Sequence, residues 1–437
     1  MLHLERYVNP SSSDTGLTAS ASGVENGSAA ANPSVTDETL NSESSATAET
    51  SLQTPVAAAS EKDAAENPGE PRTIISGIWQ YPAVIAPSNF KFKSLCEWAF
   101  NSALGCAHGC RFCYVPSTST NKQGARLGEL GVTDPDAQWG EYVFPRLWDE
   151  KEFLASLRRA ENTSRSKLKP DGHRAILLSS TTDAYQVINN PDKARARELT
   201  QHHQRVVRDA LERIRDHSTL NVRILTRSPL AKTDFAIMKS FGNRLMFGMS
   251  LPTLNDNLAR IYEPNAPSPT QRLKTLREAK EAGLNVYVAI APTYPECDED
   301  DLRATLKAVA ELKPHTVFHE NINIRAENVA RIAAHAATMG MKLNTAVFDS
   351  KVAYWQYSIR QLKLVERIAG EVGLAHCLHL WPDASLKSKN GFMEMRKSAR
   401  LVGTVEGEDD EAYAEHLAWV ERCHARISEW PKDADTQ

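Results

Sequence analysis

The chain has 437 residues, 41% hydrophobic and 24% charged, a balance that suits a globular protein with room for one barrel plus appendages or for two domains. Its formal charge of −4 is uneven: residues 1–72 hold 11 acids and 3 bases, which leaves −8 there and +4 on the remainder. No run approaches eighteen apolar residues and the opening MLHLERYVNPSSS has no apolar signal core, so neither a membrane span nor secretion is expected, and a cytoplasmic protein is.

Residues 1–72 are rich in Ser, Ala, Thr, Glu and Pro. Such a segment buries too little apolar surface to offset its ordering entropy, and it reads as a disordered low-complexity tail. Structure should begin near IISGIWQYPAV. Strand-like and helix-like segments then alternate. AILLSS (Ala175–Ser180) is of strand length, and a helical pattern runs from Asp192 to about His217. NVRILT, RLMFGMSL, NVYVAIAP and TVFHENINI read as further strands. Helices are expected at DFAIMKSF, from Pro269 to a stop at Gly283, over Asp298–Lys313 and at AENVARIAAHAATMG. This alternation implies parallel βα units, and the fold class expected is α/β, a partial (β/α) barrel. Residues 73–350 would form its core, and 351–437 a barrel completion and helical extension. Catalytic groups in such barrels gather at the carboxyl ends of the strands.

Seven cysteines, an odd number, argue against a disulfide framework. Three of them, Cys106, Cys110 and Cys113, stand in NSALGCAHGCRFCYVP with CxxxCxxC spacing. Thiolates are soft ligands suited to iron–sulfur clusters. Three can hold three irons of a cubane and leave the fourth open to a small molecule. Gly105 and Gly109 let the backbone fold tightly around such a group. A zinc site is the competing reading, but zinc usually takes a fourth Cys or His at a matching spacing, and His108 is too close in sequence to serve easily. HCLH (His376–His379) and Cys423–His424 match no common metal site.

CxxxCxxC with Phe112 before its last cysteine resembles the signature of radical S-adenosylmethionine (SAM) enzymes. The wider chain, over roughly residues 95–325, resembles the spore photoproduct lyase-like, or DNA repair photolyase-like, branch. The segments that carry this likeness are NSALGCAHGCRFCY, SSTTDAYQ (Ser179–Gln186), ILTRSPL with Arg227 where Lys is usual, FGMSL, YEPNAPSPTQRL and VAIAPTYP. The resemblance implies a 4Fe–4S cluster on Cys106, Cys110 and Cys113, and SAM on its open iron. One electron, from an external donor of flavodoxin or ferredoxin type, then yields a 5′-deoxyadenosyl radical that abstracts hydrogen from a substrate. It also implies that Tyr114 lies near the adenine and that Thr181, Thr182 and Asp183 form a polar SAM segment. By the same likeness Asp183 accepts from the SAM amino group, and Arg227 and Ser250 contact SAM at the ends of two strands. A loop Asp capping the next helix is the plainer account of Asp183. Glu263 and Arg272 can instead pair with each other and fix their loop.

One departure limits what carries over. Spore photoproduct lyase returns a hydrogen through a cysteine soon after its cluster motif, whereas here none follows Cys113 until Cys297. Thymine-dimer reversal is therefore not expected. Cys297, in a loop after a strand, is the candidate hydrogen donor, and His379 and Trp381 are candidates for the substrate side. Nucleic acid is one substrate class open by family likeness, with peptide and small metabolite equally open. The alternatives are a non-catalytic iron–sulfur protein, for electron transfer or as a scaffold, and a zinc-binding nucleic-acid module.

Overall fold

In the computed structural model, residues 74–88, 95–169, 173–401 and 409–427 are described. The segment read as a disordered tail lies outside them.

The chain enters through β1 (Ile75–Ser76), β2 (Trp79–Pro82), β3 (Ile85–Pro87), β4 (Trp98–Phe100), β5 (Ala103–Gly105) and β6 (Tyr142–Leu147). It continues through β7 (Ala175–Leu178), β8 (Asn221–Thr226), β9 (Leu245–Ser250), β10 (Asn285–Thr293), β11 (Thr316–Asn321) and β12 (Leu378–Leu380). The main sheet has the order β12-β11-β10-β9-β8-β7-β4-β3. All its neighbours are parallel except β3 with β4. Sequential parallel order requires a crossover after each strand, and the helices supply it. This is the expected partial (β/α) barrel.

The helices start where local chemistry directs. Asp192 caps Lys193–His217 through the Ala194 and Arg195 N–H groups, Ser268 and Gln271 form a capping box on Pro269–Glu281, and Asp298 caps Glu299–Glu311. Side chains on one face of the strands, such as Ile224, Phe247, Val288 and Val317, join the large core beneath these helices. On the inner face Leu225, Met246, Tyr287 and Phe318 form a separate cluster with Leu95 and Trp381. Gly248 admits the Tyr287 ring there, since a Cβ at Gly248 would come within 2.3 Å of it.

β5 and β6 were not legible in the sequence. β5 pairs antiparallel with β6, which also joins β1 and β2 in a second sheet. The cysteine loop therefore leaves β5 of that small sheet rather than the end of the first barrel strand, β4. Beyond residue 350, the helix Lys351–Glu371 buries Tyr354, Trp355 and Tyr357, and β12 extends the parallel sheet. Helices Lys389–Leu401 and Asp409–Ile427 follow. No helix among the described residues is long and apolar enough to cross a membrane.

Candidate active site

The cysteine loop is built on two glycines in the left-handed region. Gly105 has φ +84°, and a Cβ there would lie 2.3 Å from the Tyr142 carbonyl oxygen. Gly109 has φ +58° and passes so close to Gly140 that its Cβ would meet the Gly140 Cα at 3.0 Å. Distant segments then pin the loop. The Ala107 N–H donates to Gln186 Oε1 (2.6 Å), Asn265 Nδ2 donates to the Ala107 carbonyl (3.1 Å), and the Arg111 N–H donates to the Tyr262 carbonyl (2.8 Å). Sequence spacing carries no trace of these bonds.

Cys106 and Cys110 are buried, and Cys113 is partly so. Burial pushes all three thiols up, Cys110 to about 12. Asp183 raises Cys106 further, as do Cys110 and Cys113, so the three thiols share one electrostatic neighbourhood. Metal binding must release these protons. Among the described residues no group of three or more His, Cys, Asp or Glu side chains converges on a single ion.

Beside the loop lie the residues after β7 and β8. Thr182 Oγ1 donates to the Gly105 carbonyl (2.6 Å) and accepts from Gln186 Nε2 (2.7 Å). The Asp183 carboxylate is already engaged. Its Oδ1 accepts from the Tyr185 N–H (2.9 Å) and from Thr226 Oγ1 (2.7 Å). Its Oδ2 accepts from the Arg227 N–H (2.9 Å) and lies 3.5 Å from His108 Nδ1. Asp183 is therefore a joint between the β7 and β8 loops and the cysteine loop. Burial lowers the His108 pKa, so this imidazole is held neutral.

Arg227 also has a partner in the protein. Its Nε donates to Glu263 Oε1 (2.8 Å), and its guanidinium lies over the Phe112 ring at 5.7 Å. Arg272 binds the other Glu263 oxygen and the Ser250 carbonyl (3.1 Å). The expected Glu263–Arg272 pair thus exists as a triad with Arg227. Burial raises the Glu263 carboxyl, but Arg272 and Arg227 outweigh it and hold it at about 2. Ser250 is buried at the end of β9. Tyr114 is raised chiefly by burial, then by Cys113 and Glu320.

Cys297 is 1% exposed and belongs to the helix-backed core. Its Sγ accepts from the Tyr294 N–H at 3.4 Å, and burial, together with the charge of Asp301, pushes the thiol up. A hydrogen donor must touch the substrate radical, and this thiol is enclosed. His379 and Trp381 line the inner face of the sheet, with Phe318 5.6 and 4.5 Å from their rings.

Several residues escaped the sequence reading. Ser179 ends β7 with φ +68°, a strained value for a residue other than Gly, and its buried hydroxyl has no partner. The Tyr294 hydroxyl, near Glu263, Arg272 and Arg227, is likewise buried and unpaired. Buried polar groups without a partner call for an explanation, and a bound polar ligand is one. Gln186, Asn265, Asn328 and Arg331 all bond the cysteine loop. Ser179 and Gln186 lie inside SSTTDAYQ, Asn265 inside YEPNAPSPTQRL and Tyr294 inside VAIAPTYP, whereas Asn328 and Arg331 lie outside every segment that carries the likeness.

The Radical SAM superfamily model matches residues 100–309, and the chain belongs to this superfamily. An uncharacterized protein of Acidianus two-tailed virus is 30% identical over 265 residues, 57% of this chain and 78% of the relative. An uncharacterized protein of Methanocaldococcus jannaschii is 24% identical over 263 residues, 60% and 83% of the two chains. Spore photoproduct lyase complexed with dinucleoside spore photoproduct aligns with TM-score 0.48 and 14% identity, covering 70% of this chain and 81% of that one. The protein is thus a radical SAM enzyme whose cofactors are a 4Fe–4S cluster and SAM. When bound, they supply reductive cleavage of SAM to a 5′-deoxyadenosyl radical that abstracts hydrogen from substrate. The electron comes from an external reductant. Neither a passive iron–sulfur scaffold nor a zinc module accounts for this membership.

Proposed function

We propose that Cys106, Cys110 and Cys113 hold the cluster and that Thr182, Arg227, Ser250 and Tyr114 surround SAM beside it. The observation that carries this reading is the setting of the cysteine loop, whose thiols share one neighbourhood next to the ends of β7 and β8. The orphaned hydroxyls of Ser179 and Tyr294 support the binding of a polar molecule on that side. Asp183 acts indirectly, by fixing Thr226, the Arg227 backbone and His108. Arg227, anchored through its Nε, keeps its terminal nitrogens for a carboxylate.

The catalytic core runs from 73 to 350, and 351–437 completes the barrel and extends it. The reductant is of flavodoxin or ferredoxin type, and the enzyme works in the cytoplasm. Anaerobic reconstitution should give about four irons per chain. Adding SAM and a reductant should release 5′-deoxyadenosine, and Cys→Ala at any of the three positions should abolish it. Release at the wild-type rate from such a variant would overturn the ligand assignment. Isotope transfer from labelled nucleic acid, peptide or metabolite into 5′-deoxyadenosine identifies the substrate class.

A further inference from the structure

Helix Asn328–Thr338 lies more than 200 residues beyond the cysteine loop in sequence, yet two of its side chains bind three consecutive carbonyls of that loop. Arg331 Nε donates to the Arg111 carbonyl (3.2 Å), and Asn328 Nδ2 to the Phe112 carbonyl (3.0 Å). A terminal nitrogen of Arg331 binds the carbonyl of Cys113 itself, and the other pairs with Asp136. Asp136 in turn accepts from Ser117 Oγ (2.5 Å), just past the loop.

The placement of Arg331 runs against two general preferences. Its side chain is only 7% exposed, and a buried charge is costly unless well paired. It also stands near the amino end of its helix, where the macrodipole disfavours a cation. Helix packing alone needs neither feature. A guanidinium that must hold two carbonyls and a carboxylate at once needs the fork that Arg alone provides.

We propose that Arg331, with Asn328 and Asp136, is a positioning device that fixes the third cysteine and sets the electrostatics of the cluster bound there. This rests on the assignment of Cys106, Cys110 and Cys113 as ligands. The Arg331 cation stabilises added negative charge at the Cys113 end, and the Asp136 anion opposes it. The two charges therefore shift the cluster's reduction potential in opposite directions, whereas simple loosening of the loop would move it the same way in both variants.

The full-length chain is reconstituted anaerobically as wild type, R331M, R331K, D136N and N328A. Iron content, reduction potential and iron loss to a chelator are then measured. Wild type without about four irons removes the ligand assignment itself. With wild type loaded, R331M should lower the potential and D136N should raise it. R331K should keep the potential nearer wild type while losing retention, because an ammonium cannot reproduce the fork. Iron retention should weaken about ten- to a hundredfold in R331M, as for other residues that orient metal ligands. If R331M does not fold, N328A, which loses one neutral donor to the loop, should still release iron faster than wild type. Unchanged potentials and retention, or shifts of one sign in R331M and D136N, would overturn the proposal.

Discussion

Glu263→Gln should destabilise the folded chain by about 3 kcal/mol while keeping the volume of the side chain. The magnitude follows from the triad. The Glu263 side chain has no solvent exposure, Arg272 has 1% and Arg227 has 18%. Burial opposes the carboxylate, yet the two arginines hold it at about 2 against an ordinary value of 4.5. That difference corresponds to about 3 kcal/mol at neutral pH. The amide leaves two buried guanidiniums without their counter-charge. Since the folded value lies below the unfolded one, the contribution is complete above 4.5 and is lost as pH falls toward about 2. Urea melts of the cluster-free chain at neutral pH, and acid titration of both forms, read the two effects. In thermal melts E263Q should unfold earlier on the order of 4 °C, and it should lose part of the acid-dependent fall in stability. In a double-mutant cycle, E263Q with R272M should cost less than the two singles summed, by at least about 1 kcal/mol. Stability within about 0.5 kcal/mol of wild type, with an unchanged acid limb, would refute the reasoning.

Gly105→Ala should cost at least about 1–2 kcal/mol from its left-handed backbone alone, and more from contact with the Tyr142 carbonyl. Its cluster loading should fall with it, checked by iron content and thermal melts. Native alkylation of the cluster-free protein should label Cys113, which is partly exposed, well before Cys297, which is 1% exposed, as read by peptide mass spectrometry. Fast labelling of Cys297 would show an accessible thiol and favour its candidacy as hydrogen donor.

The barrel units were legible because strand and helix periods alternate and the caps lie next to the residues they cap. Asp192, Ser268 and Asp298 act within three residues of themselves, so the starts of their helices could be read directly. β5 and β6 could not be read. β5 has three residues, and it is a strand only because Tyr142–Leu147 lies against it. The same limit explains Asp183. A loop aspartate after a strand suits either a ligand contact or a cap, and nothing near it in sequence shows that it also bonds Thr226 and Arg227. The direction of the Cys297 thiol was not legible because a loop after a strand can face the mouth of a barrel or turn back under the following helix. Here its thiol turns back, toward Tyr294 and Asp301.

The sequence by itself determined the class of chemistry, because three thiolates spaced over eight residues act as one local unit whatever surrounds them. It also determined most of the βα order, since periodicity and capping are local. Tertiary structure alone decided how that loop is held. Gln186, Tyr262, Asn265, Asn328 and Arg331 reach it from up to 220 residues away. Hydrogen bonds at such separations depend on where the barrel returns the chain, and no residue pattern near the cysteines encodes that.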